Sequence, residues 1–209
     1  MIYDLSHALS NETPVFPGDA QPEFTQIATV EKNGYRETRF NFHSHLGTHI
    51  DAPAHMLKNG KALDDLHVSY FQGKALIIKV DPNQQFIEPD LLLPFEKDLV
   101  NSAFVLFKTG WSKFWGDKKY FETFPTLSAA ALQFLLQFDL RGVGFDTISA
   151  DPVESTTYSN HYGIFNKGLI IIENLIFPED LEATRGEFSC FPLPYKKADG
   201  SPVRAVLKV

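Results

Sequence analysis

The segment His43-Ser-His45-Leu-Gly-Thr-His49-Ile-Asp51-Ala-Pro-Ala-His55 constrains this chain more than any other stretch. It cannot run on as a helix. Gly47 is a poor helix-interior residue, Thr48 and Ile50 are β-branched, and Pro53 breaks the hydrogen-bond ladder. Just upstream, Glu37 to His45 alternates. Phe40 and Phe42 fall on one face, and Arg39, Asn41, His43 and His45 on the other, which predicts a half-buried strand with a polar inner or functional face. Gly47-Thr48 interrupts that strand, so the histidines straddle a strand end and a loop. Four of the chain's seven histidines lie in these 13 residues, where chance would place about 0.4, so the crowding has a cause. Imidazoles and a carboxylate packed this closely suit a first-row metal ion. Neutral His offers a borderline-soft nitrogen, and Asp adds charge and can bridge two ions. The His-x3-His spacing occurs in zinc proteases, but there it sits on a helix with a Glu after the first His. Here the stretch is not helical and Leu46 occupies that position.

A second signal lies downstream. Glu173 ends the apolar run Leu169-Ile-Ile-Ile172 and shares a face with Leu169 and Ile171 by period-two alternation. A carboxylate there is costly unless its charge is compensated, and a dication would do so. His161 stands twelve residues before it. Asp146, Ser149 and Asp151 form a polar cluster after a strand, read either as turn formers or as groups that orient metal ligands.

The remaining pattern predicts strands at Ile2 to Ser6, Ala75 to Val80, Ala103 to Lys108, Gly142 to Phe145, Leu169 to Glu173 and Val203 to Val209. Asn11 to Pro22, with three prolines and Pro17-Gly18-Asp19, reads as a loop. Thr126 to Phe138 reads as a helix capped by Thr126 or Ser128, with Leu132, Leu135 and Leu136 as its apolar stripe. The expected fold is a single α/β or α+β domain, residues 1–209, around a mixed sheet that could roll into a barrel. The 19 phenylalanines supply its core.

Composition excludes some functions. A net charge of −7 with scattered Lys and Arg argues against nucleic acid. No apolar stretch approaches the ~20 residues of a membrane span, and the first residues lack the basic and apolar regions of a signal peptide. The lone cysteine, Cys190, excludes an intrachain disulfide and reads as a buried filler. Together these features lead to an expectation of a cytoplasmic protein. No Gly-x-Ser-x-Gly elbow is present, and Ser44 has no orienting partner in sequence, so a serine nucleophile is unsupported.

The pattern His-x-Gly-Thr-His-x-Asp-x-Pro-x-His is filled at every fixed position by His45, Gly47, Thr48, His49, Asp51, Pro53 and His55. On these residues the chain resembles the putative cyclase family, whose enzymes include bacterial kynurenine formamidase and isatin hydrolase. Pro17-Gly18-Asp19 matches that family's N-terminal turn, and His161 with Glu173 matches its downstream ligand pair. The resemblance implies that His45, His49 and Asp51 bind one metal ion, and that Asp51, His161 and Glu173 bind a second, with Asp51 bridging. It makes His55 the catalytic acid/base and gives His43 no ligand role. His43 is left as a supporting or a surface residue, and His7 and His67 are read as structural.

The chemistry implied is hydrolysis of a small aryl or cyclic amide by metal-activated water, with His55 carrying the proton to the departing nitrogen. The named substrate is N-formylkynurenine, cleaved to kynurenine and formate. Kynurenine formamidases of the family commonly carry Trp before Pro-Gly-Asp. Phe16 stands here, and it keeps a stacking face for substrate without the indole N–H. The donor set suits Zn or Mn, one or two ions per chain, and the resemblance implies a homodimer or larger homo-oligomer. A lactonase or a cyclase/dehydratase on the same metal site is the alternative enzyme. A non-catalytic metal or small-ligand binding protein is the third reading, against which His55 counts because pure binding needs no spare acid/base.

Overall fold

The computed structural model describes residues 1–209. Its twelve strands are β1 (Ile2–Asp4), β2 (Glu23–Ala28), β3 (Glu37–Asn41), β4 (His49–Asp51), β5 (Gln72–Lys79), β6 (Phe86–Ile87), β7 (Phe104–Lys108), β8 (Thr126–Leu127), β9 (Gly142–Phe145), β10 (Ile170–Glu173), β11 (Arg185–Pro192) and β12 (Gly200–Lys208). Seven of them run in the order β12-β11-β5-β7-β9-β10-β4, and β4 pairs back onto β12, so the mixed sheet closes into a barrel. The run β5-β7-β9-β10 is parallel, and the other pairings are antiparallel. β1 is appended to β12.

The parallel strands are buried on both faces, as β-branched and aromatic runs with crossovers between them should be. The inner face gathers Ile50, Ala75, Ile77, Phe104, Leu106, Ile170, Ile172, Phe188, Ala205 and Leu207. At Gly144 a methyl group would meet Leu106 at 2.6 Å and Leu175 at 2.8 Å, so the inner face requires glycine there. The outer face, with Leu76, Ile78, Val105, Phe107, Val143, Phe145 and Ile171, packs under Leu132 and Leu135 of the helix Ala129–Leu135. Ile164 and Phe165 of the helix Ser159–Asn166 join them. Strand alternation then aims the polar side chains of β4 and β10. Ile50 points inward, so His49 and Asp51 point outward. Ile172 points inward, so Glu173 points outward with Ile171.

Two local expectations are corrected. The helix begins at Ala129, not Thr126, because Thr126 and Leu127 pair with β6. Ser128 then caps it, accepting from the Ala131 N–H. The strand expected over Glu37 to His45 ends at Asn41 and is exposed at all five positions. It pairs only with β2, in a two-stranded hairpin outside the barrel. No second layer covers the Phe40 face. Phe40 is 61 % exposed, with Phe24 and Phe42 packed on it at ring distances of 5.2 and 6.0 Å. His43 is exposed, and His45 lies past the strand in the turn leading to β4.

Candidate metal centre and active site

Four chain segments bring the predicted residues together on the outer wall of the barrel. The turn at Gly47 takes φ 60°, and a side chain there would strike Leu9 at 2.3 Å, so only glycine lets the chain enter β4 this way. β4 then presents His49 and Asp51. Beside it, β10 places Glu173 directly opposite His49 in the antiparallel register. The helix Ser159–Asn166 lowers His161 from above, and the turn before β4 supplies His45.

Asp51 sits at the centre. Its Oδ1 contacts His45 Nδ1 and lies 3.1 Å from His49 Nε2, while its Oδ2 faces His161 Nε2 at 3.9 Å. Glu173 reaches both histidines: Oε1 lies 3.3 Å from His161 Nε2, and Oε2 lies 3.6 Å from His49 Nε2. Two groups that could hold a metal ion result, His45/His49/Asp51 and Asp51/His161/Glu173. Within each, the ligand atoms lie within 4.8 Å of one another. The residues separated by over a hundred positions in sequence therefore converge, and Asp51 is common to both groups.

The outward-facing nitrogen of each imidazole is held by its own acceptor, a backbone carbonyl for His49 and an Asp carboxylate for His161 and His45. His49 Nδ1 donates to the Gly47 carbonyl at 2.8 Å, which leaves Nε2 to face the carboxylates. That carbonyl also accepts from Asn174 Nδ2 at 2.8 Å, and Tyr120 Oη donates to Asn174 Oδ1 at 2.7 Å. His161 Nδ1 donates to Asp151 Oδ2 at 2.6 Å. Asp151 also accepts from the Asn160 and His161 N–H groups, so it caps the helix and sets the ring in one stroke. His45 Nε2 bonds Asp199 Oδ2 at 3.0 Å, and Ser44 Oγ and Tyr195 Oη also donate to Asp199. Such outer partners fix the tautomer and orientation of metal-binding histidines.

Asp51 and Glu173 are 1 % and 5 % exposed, and no Lys or Arg lies within ion-pair distance of either. The only protein cations available to them are imidazoliums. Burial alone would lower the His45 pKa, but Asp51 and Asp199 reverse this and raise it to about 10. His161 follows the same logic, with Asp151 and Glu173 raising it to about 10. His49 is raised as well, and its histidine neighbours hold Asp51 well below the usual carboxylate range despite its burial. Three imidazoles and two carboxylates, gathered into two groups that share Asp51 and lacking other compensation, fit divalent metal.

A cavity of about 560 Å³ opens above this cluster. Phe16, Tyr158, Tyr162, Met56 and Ile148 line its walls, with Asp19 at the side. His55 stands at the mouth on the turn Pro53–His55. Its ring lies 4.0 Å from that of His45 and 6.4 Å from that of His161. Partial desolvation, with His45 and His161 nearby, lowers its pKa below the ordinary value. His55 joins neither group that contains Asp51.

The remaining candidates sort by what they touch. Asp146 accepts from Thr109 N, Thr109 Oγ1 and Gly110 N and holds a turn, and burial pushes its pKa up to about 6. Asp151 instead belongs to the ligand-orienting reading. Ser149 lines the cavity, and its Oγ accepts from the Asp151 N–H. His7 stacks on Trp115 at 3.8 Å, where burial lowers its pKa to about 4, and His67 accepts from Ser69 N in its own turn. Burial raises the Cys190 thiol far above its usual range, so it is a filler. Sequence reasoning missed Asp199, Asn174, Tyr120 and Gly200. A polar residue with no apparent task next to glycine, as in Asp199-Gly200, was the one available hint.

The profile of the family described as "Putative cyclase" matches residues 3–152. The chain belongs to the putative cyclase family. Among its relatives is a kynurenine formamidase of Bacillus cytotoxicus, 32 % identical over 98 % of this chain and 96 % of the relative. A solved structure described as a potential metal-dependent hydrolase with cyclase activity superimposes with a TM-score of 0.82 at 27 % identity, covering 99 % of this chain and 96 % of its own. An isatin hydrolase bound to the product analogue thioisatinate superimposes with a TM-score of 0.87 at 21 % identity. It covers 98 % of this chain and 90 % of its own, and supports the barrel of this cyclase-family member. No helix is long and apolar enough to cross a membrane.

Proposed function

We propose that this chain is a metal-dependent amidohydrolase for small aryl amides, with N-formylkynurenine as the first substrate to test. The observation that carries the reading is the pair of ligand groups sharing Asp51 at the floor of an aromatic-walled cavity, with the uncommitted His55 at its mouth. The kynurenine formamidase relatives, matched over nearly their whole length, support the aryl formamide.

In this reading His45, His49 and Asp51 would hold one divalent ion, Zn or Mn, and Asp51, His161 and Glu173 would hold a second. The bound metal supplies Lewis acidity toward a carbonyl and lowers the pKa of water. The protein's own groups do the rest. Phe16, Tyr158 and Tyr162 offer ring faces on which an aryl group stacks. His55 accepts the proton of the attacking water on a free imidazole nitrogen and returns it to the departing aryl amine. A pKa below the ordinary histidine value keeps it neutral and ready as the base. Asp151, Asp199 and the Gly47 carbonyl hold the ligand rings still while this happens.

A homodimer is part of the same proposal. A lone two-stranded hairpin is marginal in water, and β2–β3 carries exposed Ile27, Tyr35 and Phe40. A second copy of the chain covering that face would stabilise it. Light scattering of wild type and Phe40→Glu tests this, and a monomeric wild type overturns it.

The test of function is metal analysis of the purified protein, followed by formate release from N-formylkynurenine by the metal-loaded form. Tight metal uptake with turnover that chelator abolishes supports the proposal. Absence of tight metal, or metal-loaded protein that hydrolyses no aryl formamide, overturns it.

A further inference from the structure

We propose that the cavity mouth carries a further, weaker divalent-metal site built from His45, His55 and Asp199, whose filling takes the acid/base out of action. One ligand atom from each of these residues lies within 4.8 Å of the other two, which makes a two-histidine, one-carboxylate set distinct from both groups containing Asp51. His45 turns Nδ1 inward to Asp51 and Nε2 outward to Asp199 at 3.0 Å, so its two nitrogens serve opposite sides. The His55 ring lies against His45 at 4.0 Å, and no hydrogen bond commits either of its nitrogens. The Asp199 side chain is 43 % exposed, so an ion reaches this set from solvent without passing the cavity.

The site differs in strength from the inner groups for a chemical reason. His45 is common to this set and to the inner His45/His49/Asp51 group, so filling both would require its remaining ring proton to leave to solvent. Asp199 exchanges its hydrogen bond to His45 for a bond to the ion, while Ser44 and Tyr195 continue to donate to its carboxylate. Two of the three ligands are open to water, which competes for the ion. The inner sites are therefore tight and the outer one weak. A His55 nitrogen bound to metal can no longer accept or deliver a proton, so excess metal inhibits. The inhibition rests on the function proposed above, but the binding does not.

Equilibrium dialysis of the full chain against Zn²⁺ alone tests the binding. Wild type should take up its tight complement and then one further equivalent. The further equivalent should need roughly 10²-fold more free zinc or beyond, since ligand and outer-partner quality is worth 10–100-fold each. His55→Ala should keep the tight complement and lose the weak equivalent, and Asp199→Asn should lose the weak equivalent too. Free zinc over the same range should inhibit wild-type formate release. The site is overturned if wild type binds no weak equivalent, or if either variant keeps it. An enzyme inactive on every aryl formamide would sink the proposed function, yet the isotherms would still judge the site.

Discussion

Replacing Gly200 by Ala perturbs the candidate metal centre through one atom. Gly200 opens β12 and pairs with Asp51 in register, and its φ is not left-handed, so alanine can adopt the backbone. In a strand interior that exchange would ordinarily help by about 0.5–1 kcal/mol. Here the new methyl would lie 2.5 Å from His45 Cε1 and 2.9 Å from each ring nitrogen. The ring must withdraw by about 0.9 Å to reach an ordinary contact of 3.4 Å. It has little freedom to do so, because Asp51 and Asp199 hold its two nitrogens. Metal–ligand distances are specified to about 0.2 Å, so a shift of this size removes His45 as a ligand, with a loss of roughly 10–100-fold in affinity at the His45/His49/Asp51 site. Overpacking adds about 1–3 kcal/mol of destabilisation, and a chain of this size loses about 2–4 °C of Tm per kcal/mol. Dialysis against graded chelator, with metal read by mass spectrometry, measures the first effect, and melting in excess chelator measures the second. One ion should be lost early while the Asp51/His161/Glu173 ion is held longer. A folded Gly200→Ala protein with wild-type metal retention and activity would falsify the placement of the His45 ring and its role as a ligand.

Four further outcomes are expected. His55→Ala should keep the tight metal complement while kcat falls by roughly 10²–10⁴, and less so for an activated ester whose leaving group needs no proton; metal lost in step with activity would make His55 a ligand instead. Asp51→Ala should lose both ions, since its two oxygens face the two groups, and retention of either ion at wild-type affinity refutes the bridge. In the metal-free chain the paired His45 and His161, both near 10, stabilise the fold fully below their unfolded value of 6.5 and progressively less as pH rises toward 10. Asp51, held below its unfolded 3.8, adds stability above that pH and loses it in acid. Metal-free Tm should therefore peak between about pH 4 and 6.5. Metal binding, which must displace those imidazole protons, should release them and tighten with pH, readable by calorimetry in buffers of different ionisation enthalpy. A flat metal-free Tm from pH 5 to 9 contradicts the pairing.

The four parallel barrel strands were legible because burial on both faces writes a continuous apolar run, as in Leu76 to Ile78 and Ile170 to Ile172, whereas β11, with Arg185, Glu187 and Ser189 among its residues, was missed. A rolled sheet was expected and is present, but which strands close it was not legible, because the β12–β4 pairing joins Gly200 to Asp51 across most of the chain and leaves no periodic mark. The β3 error has a different origin. Alternation at Phe40 and Phe42 records that one face is apolar, but not what covers it, and within this chain nothing does.

The site shows the same division at finer scale. The ligand candidates could be named because their chemistry resides in the side chain and their order in the chain is fixed by the motif. The groups that aim them could not, and the three histidines show why. His49 is oriented by the Gly47 carbonyl, which every residue possesses and no sequence advertises. His161 is oriented by Asp151 on the loop before its own helix, close enough to be suspected but also a normal turn residue. His45 is oriented by Asp199, 154 positions away, delivered only because β12 closes the barrel against β4. Barrel closure and site assembly are therefore one event. The pairing that buries Gly200 against the His45 ring also brings Asp199 to its outer nitrogen. A chain that folded its parallel strands but left β4 unpaired with β12 would keep most of its core, yet His45 would lack both its packing surface and its carboxylate. If the His45/His49/Asp51 group holds metal as proposed, its affinity would report on closure of the barrel, while the His161–Asp151 pair, contained within one loop and helix, does not depend on it.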